Sequence, residues 1–404
     1  MMSAACASAP STHPGRPNSP TRTDPPVAPI ARQTALDADG RLGADLLDVL
    51  GPSSQNAVLS PYSIAVALQM ALEGARGQTA EQMAKTLHLP GVSAAALTAT
   101  AATLGRDLAR LDGSGVTLRI ANGLWPQAGY PIKAPFTQAL QDGFGVGVRA
   151  VDFAKDPPGA RRAINDAISE QTNGKIPELF TADLDPRTRL VLTNAVYLKA
   201  AWSDPFTEAL TRPDTFHAVG HDVSAPFMHG TVEVGYAKRA GYQLVRLPYQ
   251  NGRLAMTLIV PDGPLAPLED RLRREGLGAL LGGPLSSAYV TLSLPKFQFR
   301  THVDLNDALS RLGMTDAFVD GRADFTGITD PEALHIAQVV HEANISVDEK
   351  GTEAAAATGV VIRTSSATVN TAEVTVDHPF LFAITDLNTD TPLFLGRVVD
   401  PTAS

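Results

Sequence analysis

Helical patterns crowd the first half of this chain and strand patterns the second, and the periodic stretch runs from about Ala35 to Val399 without an internal repeat. Strands that mostly follow one another without crossover helices argue for an α+β fold with more than one sheet. Ser60-Pro61 reads as an N-cap followed by proline at the first helical position. Ile64, Ala67, Leu68, Ala71 and Leu72 then form an apolar stripe that ends at Gly74. Thr79 with Gln82 fits a capping box and predicts a helix that opens there and stops before Pro90. Further helical patterns cover about 93–111, 133–142 and 159–172. Val116–Leu124, Leu190–Leu198, Gln243–Leu247, Leu254–Val260 and Ala288–Leu294 are β-rich runs bounded by Gly, Pro or Asn. Leu334–Val347 predicts a longer strand, one face of which carries Ala337, Val339, His341, Ala343, Ile345 and Val347. Phe380–Thr385 and Leu393–Val398 close the set.

Of the 404 residues, 44% are hydrophobic and 19% charged, enough to build a sizeable core. The formal charge of −9 gives no basic balance to draw the chain onto nucleic acid. Cys6 is the only cysteine, so an intrachain disulfide is impossible and a cysteine-based metal site is ruled out. No run of 18 apolar residues exists, so a transmembrane helix is not expected. The segment before Ala35 is rich in Pro, Ser and Thr, which leaves too little apolar surface to offset the entropy of ordering. Residues 1–34 are therefore expected to be a disordered tether, and 35–402 one folded domain. Ser3-Ala4-Ala5-Cys6 looks like the tail of a bacterial lipoprotein cleavage site, which would require a start upstream of Met1; a plain flexible tail is the alternative. On that basis the expected location is extracellular or attached to the cell envelope, with the cytoplasm as alternative.

Catalytic signatures are missing. The chain has no G-x-S-x-G, no G-x-x-x-x-G-K-[ST] and no H-E-x-x-H. Gly143, Gly145 and Gly147 resemble half a dinucleotide loop, but the third spaced glycine is absent, and a turn after a helix is the plain reading. His335 and His341 would share one strand face, yet no carboxylates cluster with them in sequence; His341 reads as a hydrogen-bonded core histidine. No cofactor or metal is expected.

Residues 349–366, EKGTEAAAATGVVIRTSS, are odd for a loop: no proline, two glycines, many small side chains. Read as a latent strand, one face takes Thr352, Ala354, Ala356, Thr358, Val360 and Ile362, all uncharged. The other takes Glu353, Ala355, Ala357, Gly359, Val361 and Arg363, where both charges sit. Such a segment can bury one face and wet the other; an Ala-rich helix or a flexible loop remain alternatives from the pattern alone.

The run from Ile345 to Thr358, ISVDEKGTEAAAAT, resembles the hinge of the serpin family of protease inhibitors. Asn56, Leu59–Ile64 and Leu72–Thr79 are similar to that family's early helix region. Asn173–Ile176, Thr193–Lys199 with Trp202 and Pro205-Phe206, Leu294–Phe297, Asp377–Phe380 and Pro392–Val398 extend the likeness in order over about 35–402.

The resemblance implies one domain with three β-sheets, about nine helices and an exposed reactive-centre loop. It implies an inhibitor rather than an enzyme: a serine protease cleaves the loop, which inserts into the main sheet and traps the acyl-enzyme as a covalent 1:1 complex. Hinge positions carried over are Glu349, Gly351, Thr352, Glu353, Ala354, Ala355, Ala356 and Ala357. Ser60, Ser63, Asn194 and His341 match a polar cluster under the sheet, and Lys296 and Glu349 match an ion pair beside Trp202. Counting from the hinge glutamate puts the scissile bond at Ser365-Ser366, with Arg363 or a site slightly downstream as alternatives. A small residue there suits an elastase-like or subtilisin-like protease; Arg363 would suit a trypsin-like one. A monomer is expected. The competing reading is a non-inhibitory binding or chaperone protein on the same scaffold, which often carries charged or bulky hinge residues.

Overall fold

The computed structural model describes residues 30–51, 53–111, 113, 115–330, 334–353 and 372–403. Helix α1 (Arg32–Val49) starts just ahead of the boundary expected at 35 and buries Leu36, Leu42, Leu46 and Leu47. Strand β1 (Ala57–Leu59) leads into α2 (Pro61–Gly74). Ser60 caps α2: its Oγ accepts the Ser63 N–H at 3.3 Å. Every residue of α2 except Glu73 is buried, so this helix is the spine between the two sheets.

Helix α3 (Gly77–Thr86) departs from expectation, because Arg76 and not Thr79 stands at its N-cap. The Thr79 hydroxyl accepts the Asp324 N–H at 3.0 Å. Gln82 Oε1 accepts the N–H groups of Thr315 and Asp316 at 3.0 and 2.8 Å. Both side chains satisfy a loop distant in sequence, and that demand overrides the local capping pattern.

Helix α4 (Ala94–Leu108), strand β2 (Val116–Pro126), helix α5 (Ala134–Phe144) and helix α6 (Pro157–Gln171) lie where their patterns predict. Gly145 ends α5 in the left-handed region at φ +65°, so the glycine run is a helix C-cap. The strand-rich half follows: β3 (Leu190–Ala201), β4 (Arg212–Ala218), β5 (His221–Arg239), β6 (Tyr242–Pro248) and β7 (Leu254–Pro261). After α7 (Ala266–Glu275) and α8 (Leu277–Leu281) come β8 (Ser286–Pro295), β9 (Phe297–Asp304) and the short α9 (Asn306–Arg311). The chain ends with β10 (Gln338–Asp348), β11 (Gly351–Thr352), β12 (Ala372–Thr375), β13 (Phe380–Asp386) and β14 (Thr391–Val398). Strand β10 starts later than Leu334 because the Asn306 side chain takes over: it donates to Ala337 O at 2.7 Å and accepts the Val339 N–H at 3.0 Å.

Where three sheets are implied, the described residues form two hydrogen-bonded networks. The five-stranded sheet has the order β2-β3-β11-β10-β9. The other has nine strands, β1-β14-β13-β7-β6-β5-β8-β12 with β4 on β5. The reason is the length of β5, 19 residues. Its start pairs with β4, its middle with β8 and its end with β6, so it fuses what would otherwise be two sheets.

Alternation places the five-stranded sheet between two layers. Trp125, Val191, Ala195 and Val340 face Ile164 and Ile168 of α6, while Leu190, Leu192 and Val339 join the cluster around α2. Among the described residues, no helix is long and apolar enough to cross a membrane.

Candidate functional site

Strands β3 and β10 run parallel and pair from Val191↔Gln338 to Val196↔Ala343. Beyond that point they part, and β11 lies between them. Gly351 and Thr352 pair antiparallel with Ala201 and Ala200 on one side, and with Asp348 and Val347 on the other. The sequence makes this possible at Gly351, whose φ of +149° suits glycine and whose missing Cβ would otherwise stand 2.1 Å from Ala200 O. Thr352 is buried at 1% exposure, and its hydroxyl bonds the Tyr249 hydroxyl at 2.6 Å. Burial pushes the Tyr249 phenol well above its ordinary pKa, so it stays a neutral hydrogen-bonding group.

Trp202 braces this junction. Its ring stacks on Tyr249 at 4.6 Å, its Nε1–H donates to Asp348 O at 2.9 Å, and its backbone N–H donates to Lys350 O at 2.9 Å. Lys296 Nζ meets Glu349 Oε2 at 2.8 Å, and Thr211 donates to Glu349 Oε1 at 2.8 Å. Burial pushes the Glu349 carboxyl up, but hydrogen bonds from Lys296, from its own backbone and from Thr211 outweigh it and hold the pKa below the usual value. Glu353, the residue after Thr352, donates its N–H to Ser346 O at 2.8 Å. Ala354–Ala357, Arg363 and Ser365-Ser366 lie outside the described residues, as does Cys6.

Lower in the sheet, three strands align one polar row. Asn122 of β2 faces Asn194 of β3, and Asn194 faces His341 of β10. The Asn194 amide donates to Asn122 Oδ1 and to Ser63 Oγ, and Ser63 donates to Asn122 Oδ1 at 3.2 Å. The Asn194 carbonyl accepts from His341 Nδ1, and His341 Nε2 accepts the Ser60 N–H at 3.4 Å. Those partners fix the neutral Nδ1–H tautomer. Burial, with His302 nearby, pushes the His341 pKa down to about 3. Ser60, Ser63, Asn194 and His341 are fully buried, and each finds partners within the row and the N-terminus of α2. His335 falls before the start of β10 and takes no part in it. Among the described residues, no cluster of three His, Cys, Asp or Glu is placed to hold a metal.

Asn122, Tyr249 and Thr211 escape the sequence reading. The available signal for Asn122 was a lone amide inside an apolar strand, Ile120-Ala121-Asn122-Gly123-Leu124. Tyr249 and Thr211 carry no local sign, since their partners lie 103 and 138 residues away.

The family model described as Serpin (serine protease inhibitor) matches residues 37–401. The chain is a serpin. An uncharacterized serpin-like protein of Thermococcus kodakarensis is 41% identical over 361 residues, covering 88% of this chain and 83% of that protein. The leukocyte elastase inhibitor of Bos taurus is 34% identical over 90% of this chain and 98% of its own length. Among solved structures, tengpin, a thermophilic serpin in its native state, superposes with a TM-score of 0.83 at 28% identity, covering 93% of this chain and 97% of tengpin. An Arabidopsis serpin in its native stressed conformation gives 0.81 at 27% identity, covering 93% of this chain and all of that one. Serpins are generally protease inhibitors rather than catalysts.

Proposed function

We propose that this serpin is a suicide-substrate inhibitor of serine endopeptidases. The observation that carries the reading is β11, already seated between β3 and β10 through Gly351 and Thr352. Serpin loop insertion is itself a known case of strand addition and strain release, and here it has a specific physical form. Continuing β11 downward replaces the one parallel ladder between β3 and β10 by two antiparallel ladders, one to each neighbour. Every added residue gains backbone bonds on both sides. Ala354–Ala357 bring side chains small enough to slide between packed strands.

The chemistry runs as follows. The protease serine attacks the carbonyl of the scissile bond, Ser365-Ser366 or the alternative at Arg363, and forms an ester. The amine of the new N-terminus leaves on the segment anchored by β12. The ester-linked half inserts as a strand, carries the protease along the sheet and distorts it before water can hydrolyse the ester. The asparagine–histidine row must break and reform around the incoming strand, which makes it a gate. The expected partners are elastase-like, subtilisin-like or trypsin-like proteases in covalent 1:1 complexes.

Incubation with a panel of serine proteases tests this on denaturing gels. An SDS-stable band at the summed mass supports the reading, and mass spectrometry of the released C-terminal peptide locates the bond. Clean loop cleavage with no such band across the panel supports the non-inhibitory alternative instead.

A further inference from the structure

The hairpin of β4 and β5 turns at Val219-Gly220, and its tip lines a cavity of about 780 Å³. The other walls are the loop after α1, the β7–α7 connection and the β12–β13 connection. Val219 is 52% exposed, one of three exposed large apolar side chains among the described residues. With Pro264, Leu265 and Pro379 it gives the cavity an apolar lining of the size that takes a small organic molecule. The walls are tied together before any ligand arrives. The His217 N–H donates to Asp377 O at 2.7 Å, and His217 Nδ1 lies 2.9 Å from Asp222 Oδ1 across the hairpin.

Charge decides what fits. Asp262, Glu269 and Asp377 line the cavity, and among the described residues no lysine or arginine does. Two of these carboxylates are already answered. Arg397 Nη1 donates to Glu269 Oε1 at 2.7 Å, and His378 Nδ1 lies 2.8 Å from Asp377 Oδ1. The other ring nitrogen of His378 lies 2.8 Å from Pro261 O, so that imidazole has nothing left to offer a ligand. Asp262 is the carboxylate of the three with neither an ion-pair nor a hydrogen-bond partner among the described residues. An apolar cavity with one unanswered carboxylate complements an apolar body that carries a positive charge. We propose that this cavity binds a small amphipathic amine, its apolar body against Val219, Pro264 and Leu265 and its ammonium at Asp262. The site shares no residue with the hinge or the polar row and does not depend on the inhibitor reading.

Isothermal titration of the intact full-length chain tests this with three probes of one shape: phenylbutylamine, phenylbutanol and phenylbutyrate. At low salt the amine should bind about threefold to fivefold more tightly than the alcohol, the span of an exposed ion pair. Phenylbutyrate should bind most weakly, because the carboxylates around it repel its own. Added salt should narrow the gap between amine and alcohol. Asp262→Asn should bring the amine down to the alcohol and leave the alcohol unchanged. Val219→Ser should weaken amine and alcohol together. Both positions are exposed, so neither change disturbs the core. An amine that binds no more tightly than the alcohol, or that binds Asp262→Asn as well as wild type, overturns the proposal. So does the absence of saturable binding by any of the three probes, or binding that Val219→Ser leaves untouched.

Discussion

Asn194 of β3 and His341 of β10 stand side by side in parallel register, and the imidazole Nδ1–H donates to the asparagine carbonyl across the seam that a new strand would have to open. Both are fully buried, so the bond has no water to compete with it and none to replace it. Replacing His341 by alanine leaves the Asn194 carbonyl and the Ser60 N–H unsatisfied. Each such group costs about 1–3 kcal/mol. The urea midpoint of His341→Ala should fall accordingly, and Asn194→Ala in the same background should add less than it does alone.

The same histidine sets a pH dependence. Its folded pKa is pushed down to about 3, whereas an unfolded chain titrates near 6.5. Between those values the unfolded state binds the extra proton, so stability is full above about pH 6.5 and falls as the pH drops toward 3. The loss is at most ~1.4 kcal/mol per pH unit from this group. Glu349, a carboxylate whose folded pKa is lowered, loses its contribution only below its ordinary value of 4.5. Between pH 5 and 6.5 His229, pushed down by burial, and His217, raised by its hydrogen bond to Asp222, also contribute, so the reading for His341 is the part of the thermal-midpoint slope that His341→Gln removes.

Lys296 and Glu349 form an asymmetric pair, the lysine side chain 35% exposed and the glutamate 8%. Lys296→Met strands the better-buried charge with Thr211 as its remaining side-chain partner, at a cost of roughly 1–3 kcal/mol. Glu349→Gln should cost less, because the lysine left behind still reaches water. Urea unfolding of the two variants side by side gives the order.

Thr352→Arg places a guanidinium where Thr352 has 1% exposure and a hydroxyl bond to Tyr249. Burying that charge between β3 and β10 is unfavourable by several kcal/mol, so insertion slows and hydrolysis of the ester overtakes it. The variant should be cut as a substrate with no SDS-stable band. A complex formed at wild-type stoichiometry would contradict the place given to Thr352.

Much of the frame was legible in the residues. The Ser60-Pro61 cap, the apolar stripe of α2 and the β-rich runs follow from local rules, and the structure puts α2, β2, β3, β6, β7, β8, β13 and β14 on them. Contacts fixed by distant partners were not legible. Thr79 and Gln82 match a capping pattern, yet their bonds go to a loop more than 230 residues on. The strands β4 and β5 carry many exposed polar residues and give no clean alternation, so the long ribbon that merges two sheets left no mark in the hydropathy. Asn122 belongs to the polar row only because β2 and β3 pair in one register, which the residues around it do not specify.

The most direct measurement compares thermal stability before and after the loop is cut near residue 365 by a protease that is not trapped. If intact β3 and β10 are held short of a better-paired sheet, the clipped protein takes up the missing strand and its unfolding midpoint rises steeply. A clipped protein that melts where the intact one does would contradict the account.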